Sequence, residues 1–239
     1  MPAKRYLIVN ADDFGQSPGV NRGIIEAHEQ GIVTSTSLMV RWPGAAEAAA
    51  YSRTHPKLSL GIHIDLGEWV FRQDSWVALY EVVPPGDASA VEQEVSRQFA
   101  AFQRLAGRPP THIDSHQHVH LEEPVRSAVL VIAEKLEIPV RHCSSLVRYC
   151  GEFYGQTADG SALPDLISLD ALIKILAALE PGFTEMATHP GMGDDLDTMY
   201  CSERAKELKV LCDPRIRAAL DEMGIELRSF ANIAQQKRS

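Results

Sequence analysis

Short apolar runs alternate with segments of helical period along most of the chain. Residues 5–11 (RYLIVNA) form an apolar run, followed by a helical pattern over 20–31 (VNRGIIEAHEQG) that ends at Gly31. Strand-like 34–40 (TSTSLMV) precedes an Ala-rich helical stretch at 43–55, and 58–66 (LSLGIHIDL) is the next strand candidate. Residues 89–107 place Val91, Val95, Phe99, Phe102 and Leu105 on one helical face, and Ser89 with Glu92 has capping-box spacing. The run 111–121 (THIDSHQHVHL) alternates as a strand does and leads to a helical pattern over 124–137, then a strand candidate at 138–144 (IPVRHCS). Helical 168–179, strand-like 183–191, two helical segments parted at Asp213-Pro214 and a last strand at 225–230 complete the pattern.

About seven strands separated by helices predict an α/β fold with a parallel sheet. In 239 residues that number of βα units fits one domain, 1–239, and a (β/α) barrel, complete or incomplete, better than an open sheet. No G-x-G-x-x-G follows the first strand, which argues against dinucleotide binding. Residues 67–87 and 144–167 read as long aromatic-bearing loops, a common place for binding residues. They carry Trp69, Phe71, Trp76, Tyr149, Phe153 and Tyr154 as candidate contact residues.

Composition narrows the partners. A net charge of −9 disfavours nucleic acid, which needs a basic surface, and also disfavours anionic lipid. No apolar run approaches the roughly 20 residues of a membrane helix, and no signal-like segment opens the chain, so a cytoplasmic location is expected. The four cysteines lack C-x-x-C spacing and are expected as free thiols.

Chemistry gathers at the strand ends. The first strand runs into Asp12-Asp13, the third carries His63 and Asp65, the run at 111 carries His112, Asp114, His116, His118 and His120 by parity, and the strand at 184 ends at His189. That edge of a parallel sheet is where loops assemble active sites. Taken singly, Asp12-Asp13 reads as a helix cap, His63 as a core histidine and His189 as a turn residue. Four imidazoles within nine residues on one face are costly without a partner, and metal coordination is the usual answer.

The segments VNADDFGQSPGVNRGI, GIHIDL, THIDSHQHVH and ATHPG resemble, in order, the motifs of the YdjC-like carbohydrate deacetylases. The resemblance implies a distorted (β/α) barrel and one divalent metal ion, Mg2+ or Zn2+, held by Asp13, His63 and His116. It implies Asp12 as catalytic base, and His189 lies at the site in that family; its role as general acid is our inference, with His118 or His120 as runner-up. Asp65 stands where family members commonly carry Asn, and the following GEWVFRQ departs from the usual pattern. Asp65, Asp114, His118 and His120 are expected to touch substrate or to support the ligands. The activity implied is removal of an N-acetyl group from an amino sugar, of chitooligosaccharide or glycolipid type; separately, a homodimer is the base-rate expectation. The rivals are another metal-dependent barrel hydrolase such as a phosphoesterase, with Arg41 and Arg148 as nearby cations, and a non-catalytic sugar- or metal-binding protein.

Overall fold

The computed structural model describes residues 3–193 and 195–236. Its core is a parallel sheet of seven strands curled into a distorted barrel, with helices packed outside. The strands are β1 (Arg5–Phe14), β2 (Ser35–Leu38), β3 (Ser59–Ile64), β6 (Ile113–Ser115), β7 (Val147–Cys150), β8 (Gly182–Thr188) and β9 (Ile225–Leu227); β4 (Gly67–Arg72) and β5 (Ser75–Glu81) form a separate hairpin. Their order is β6-β3-β2-β1-β8-β7, with β9 beside the first half of β1. Both faces of β1 are covered: Leu7, Ile8, Val9 and Ala11 are fully buried, as expected for a central parallel strand. Among the described residues no ladder joins β6 to β7, so the barrel is incomplete on that side.

Helices α1 (Pro18–Glu29), α2 (Ala45–Thr54), α3 (Ala88–Ala106), α4 (Val125–Leu136) and α5 (Leu169–Ala178) connect the strands. α6 (Ser202–Leu211) and α7 (Pro214–Glu222) lead into β9, and α8 (Phe230–Gln236) follows it. The break before Pro214 falls where the sequence put it, with Asp213 as the cap. No described helix is long and apolar enough to cross a membrane, and the four cysteines are free.

Four local expectations are corrected. Residues 67–87 are not a loop: Gly67–Arg72 (β4) and Ser75–Glu81 (β5) pair as an antiparallel hairpin, turned at Gln73 and Asp74, both with positive φ. The strand expected at 138–144 is reduced to one bridge, Ile113 with Val140, and the next ladder strand is β7, within the presumed second loop. The capping box at Ser89 is unused, because α3 begins earlier and the Asp87 carboxylate accepts from the Ala90 amide. Finally, the alternating run at 111 is a strand only through Ser115. Residues His116–Leu121 coil into a 3-10 turn, with Gln117 and His118 at φ 49° and 56°, so parity does not govern the later histidines.

Candidate active site

β1 ends in a distortion that delivers two adjacent carboxylates to one place. In a regular strand Asp12 and Asp13 point to opposite faces. Here the β1–β2 register shifts between Ala11 and Phe14, and Asp13 takes a left-handed backbone, φ 68°. Gly15, φ 95°, completes the bend; a Cβ there would lie 2.9 Å from the Ala45 Cα. Asp12 and Asp13 are thereby both buried and both line one cavity of about 440 Å³.

Asp13 Oδ1 lies 3.2 Å from His63 Nε2 and 3.3 Å from His116 Nδ1. One potential ligand atom from each of the three lies within 4.8 Å of the others. His63 is supplied by β3 and faces Asp114 across the β3–β6 ladder, where its Nδ1 donates to Asp114 Oδ1 at 2.8 Å. That bond places the Nδ1 proton on the Asp114 side, so the Nε2 lone pair of a neutral ring faces the Asp13 carboxylate. Two acceptors at 3.2 Å repel unless a cation stands between them. A proton serves in the metal-free state: although burial opposes charging, Asp114 and Asp13 draw His63 up to about 10, and Asp13 and Glu68 draw His116 up to about 9. His116 Nε2 and Glu68 Oε2 are also buried without a hydrogen-bond partner. Carboxylate and imidazole donors converging in this way fit a divalent metal ion.

Asp12 is held differently. Arg141, itself buried, donates from Nη1 to Asp12 Oδ2 at 2.6 Å and from Nη2 to Oδ1 at 2.8 Å. Asn10 Nδ2 adds a bond of 2.8 Å to Oδ1. Burial alone would raise the Asp12 carboxyl, but the Arg141 charge and hydrogen bonds hold it well below the usual range. Asp13 is likewise held low against burial, with Arg204 Nη2 at 2.7 Å from its Oδ2. Arg141 also binds Asp114 at 2.9 Å and Glu185 at 2.6 Å, so one guanidinium carries three carboxylates. Burial outweighs the Arg141 charge at Glu185 and pushes its carboxyl up to about 7.

His189 closes β8. Its Nε2 lies 3.8 Å from Asp12 Oδ2, and its backbone N–H donates to Glu207 of α6 at 2.5 Å. Burial pushes its imidazole down to about 4, so it is neutral at pH 7. Glu207 is itself buried and raised to about 8, and it accepts from the Tyr200 hydroxyl. Tyr200 stacks on Tyr154 with centroids 4.6 Å apart, and both rings line the cavity.

The remaining expected residues separate. His118 lines the cavity beside Tyr149, its Nε2 3.4 Å from the hydroxyl, and burial lowers its imidazole to about 3. His120 is fully buried and does not line the cavity; its ring joins Ser115 Oγ at 2.6 Å and the Arg141 carbonyl at 3.1 Å. Asp65 is also away from the cavity and anchors the hairpin, accepting from Trp42 Nε1, the Tyr80 hydroxyl and the Gly67 amide. His112 stacks on Phe230, centroids 3.8 Å apart. Of the loop aromatics, Tyr149, Phe153 and Tyr154 line the cavity, whereas Trp69, Phe71 and Trp76 do not. The cations at the site are Arg141 and Arg204, not Arg41 and Arg148: Arg41 lies 3.6 Å from Asp65, and Arg148 binds the Glu180 carbonyl. Arg141 had a signal in the sequence, because an arginine inside the apolar run IPVRHCS needs buried acidic partners. Glu68, Arg204 and Glu207 had none, since their positions depend on the hairpin and on α6.

Comparison with known proteins identifies the family of the chain. Residues 6–222 match the family model described as YdjC-like protein. A chitooligosaccharide deacetylase of Serratia marcescens is 36% identical, covering 96% of this chain and 100% of its own length. A carbohydrate deacetylase of Geobacillus stearothermophilus is 34% identical, covering 95% and 97%. The crystal structure of a protein described as acting in cellobiose-phosphate cleavage, from Enterococcus faecalis V583, superposes with a TM-score of 0.77 at 27% identity, covering 97% and 99%. The chain belongs to the YdjC-like protein family.

Proposed function

We propose that this chain is a metal-dependent carbohydrate deacetylase, hydrolysing the N-acetyl group of an acetylated amino sugar to release acetate. One observation carries the reading: Asp13, His63 and His116 converge beside an arginine-clamped Asp12 inside a single cavity, in a chain whose relatives are named carbohydrate deacetylases. Asp13, His63 and His116 would hold the metal. Bound there, a divalent cation supplies Lewis acidity, polarising the acyl oxygen and acidifying water.

The protein's own groups handle the proton. Asp12 remains ionised across the working range because Arg141 opposes its protonation, and the two hydrogen bonds fix its plane. It accepts the proton of the attacking water as the C–O bond forms. His189 begins neutral, takes that proton from the Asp12 side and returns it to the departing nitrogen as the C–N bond breaks. Tyr149, Phe153, Tyr154 and Tyr200 supply apolar walls for sugar rings. Among the described residues the cavity's sole arginine is Arg204, already engaged by Asp13, and no lysine lines it; this weighs against a phosphoester substrate.

The test is acetate release from a panel of N-acetylated chitooligosaccharides and acetylated glycolipids, using metal-stripped and metal-reconstituted protein. Acetate that appears with metal and disappears with chelator is expected. Absence of acetate across the panel with stoichiometric metal overturns the reading.

A further inference from the structure

His63 and His116 are presented to the same carboxylate by opposite ring atoms. His63 turns Nε2 to Asp13, and Asp114 holds its other nitrogen at 2.8 Å. His116 turns Nδ1 to Asp13, and its other nitrogen faces Glu68 Oε2 at 3.6 Å. That separation is slightly beyond a hydrogen bond. Both atoms are buried and have no other partner. Buried carboxylate oxygens and imidazole nitrogens left facing each other are costly unless they pair.

The neighbouring residues are stitched in the same register. Gln117 follows His116, and Trp69 follows Glu68. The Trp69 amide donates to Gln117 Oε1 at 2.9 Å, and Gln117 Nε2 donates to the Trp69 carbonyl at 2.8 Å. Gln117 holds a left-handed backbone to do so, a conformation that needs surrounding contacts to persist. Hairpin and turn are thus locked at Gln117, with Glu68 set opposite His116.

We propose that Glu68 is a positioning residue of the metal centre. As His116 Nδ1 engages the metal, its Nε2–H donates to Glu68, fixing tautomer and ring plane as Asp114 does for His63. The β4–β5 hairpin is then part of the metal centre, and metal affinity depends on its seating. This inference rests on the metal site of the proposed function, so its test reads binding rather than turnover.

Zinc affinity is measured by competition with a chromophoric chelator on metal-stripped wild type, Glu68→Ala, Glu68→Gln and His116→Ala, with the visible spectrum of cobalt-loaded samples as a second readout. Wild type should bind one equivalent. Glu68→Ala should bind about 10- to 100-fold more weakly, with shifted cobalt bands. Glu68→Gln, which accepts without charge, should lose several-fold, and His116→Ala should lose most. Wild-type affinity and an unchanged cobalt spectrum in both Glu68 variants overturn the proposal and leave the metal site standing, even if the metal-free melting temperature falls. Where the alanine variant does not fold, unchanged zinc affinity in Glu68→Gln is sufficient to overturn it. A wild type that binds neither zinc nor cobalt stoichiometrically removes the metal site itself, and Glu68's role with it.

Discussion

Arg141 and Asp12 meet through two parallel hydrogen bonds, 2.6 and 2.8 Å, although 129 residues separate them in sequence. The same guanidinium reaches Asp114 and Glu185. Removing it by Arg141→Ala would leave three carboxylates buried beside one another, a loss on the order of 3–5 kcal/mol. Arg141→Lys keeps the charge but not the fork that sets the Asp12 plane. The lysine variant is expected to fold with a lowered melting temperature and to lose about 10- to 100-fold in kcat, with KM little changed, an effect below that of losing a general base outright. Steady-state acetate release checks this, and a lysine variant with wild-type kcat would show that the fork is not needed.

Asp12 and His116 should separate chemistry from metal binding. Asp12→Asn keeps the shape, and Arg141 retains two other carboxylates, so the fold and the Asp13 cluster should survive. Expected are wild-type zinc content and a kcat lower by about 10²–10⁴. His116→Ala should lose both metal and activity. Metal analysis beside acetate release decides, and near-wild-type turnover in Asp12→Asn removes Asp12 from the mechanism.

Much of this arrangement was legible in the sequence because each key strand delivers its polar group at its C-terminal end. Asp12, Asp13, His63, Asp114 and His189 all lie at or next to the ends of parallel strands, where period and position locate them without knowledge of tertiary contacts. Parity failed beyond His116 because the chain turns at Gln117 and His118, and two consecutive left-handed residues have no signature when neither is glycine. The hairpin was missed because Gln73-Asp74 replaces the usual glycine-bearing turn. Arg204 and Glu207 are invisible for another reason: on α6 they look like any solvated helix charge, and the tertiary packing of α6, against α1 among others, turns them inward.

His112 should impose an acid limit on stability. Its ring is buried, stacked on Phe230, and its Nε2 has no hydrogen-bond partner. Burial pushes its imidazole from about 6.5 to about 4, with Asp114 opposing and Arg141 assisting. The folded pKa lies below the unfolded one, so falling pH protonates the unfolded chain first. The contribution is therefore complete above about pH 6.5 and is lost as pH falls toward 4, amounting to about 3 kcal/mol. Thermal unfolding of wild type and His112→Gln from pH 7.5 to 4.5 tests it. The variant should be less stable at pH 7.5 yet fall less steeply with acid; parallel curves for the two proteins would exclude the assignment.

Gly61 and His112 should be energetically coupled. A Cβ on Gly61 would stand 2.4 Å from His112 Cε1 and Nε2, far inside contact distance. The imidazole cannot retreat, because Phe230 lies against it at 3.8 Å between centroids. β3 would have to move instead, and Gly61 is two residues from His63 on that strand. Gly61→Ala should therefore cost about 1–3 kcal/mol through overpacking. His112→Ala alone leaves a void beside Phe230, and the added methyl of Gly61→Ala occupies part of that space. The double variant should consequently be more stable than the sum of the two single losses predicts, by about 0.5–3 kcal/mol. Chemical denaturation of the four proteins closes the cycle. Additive losses would mean that the methyl and the imidazole do not oppose each other and would exclude the coupling.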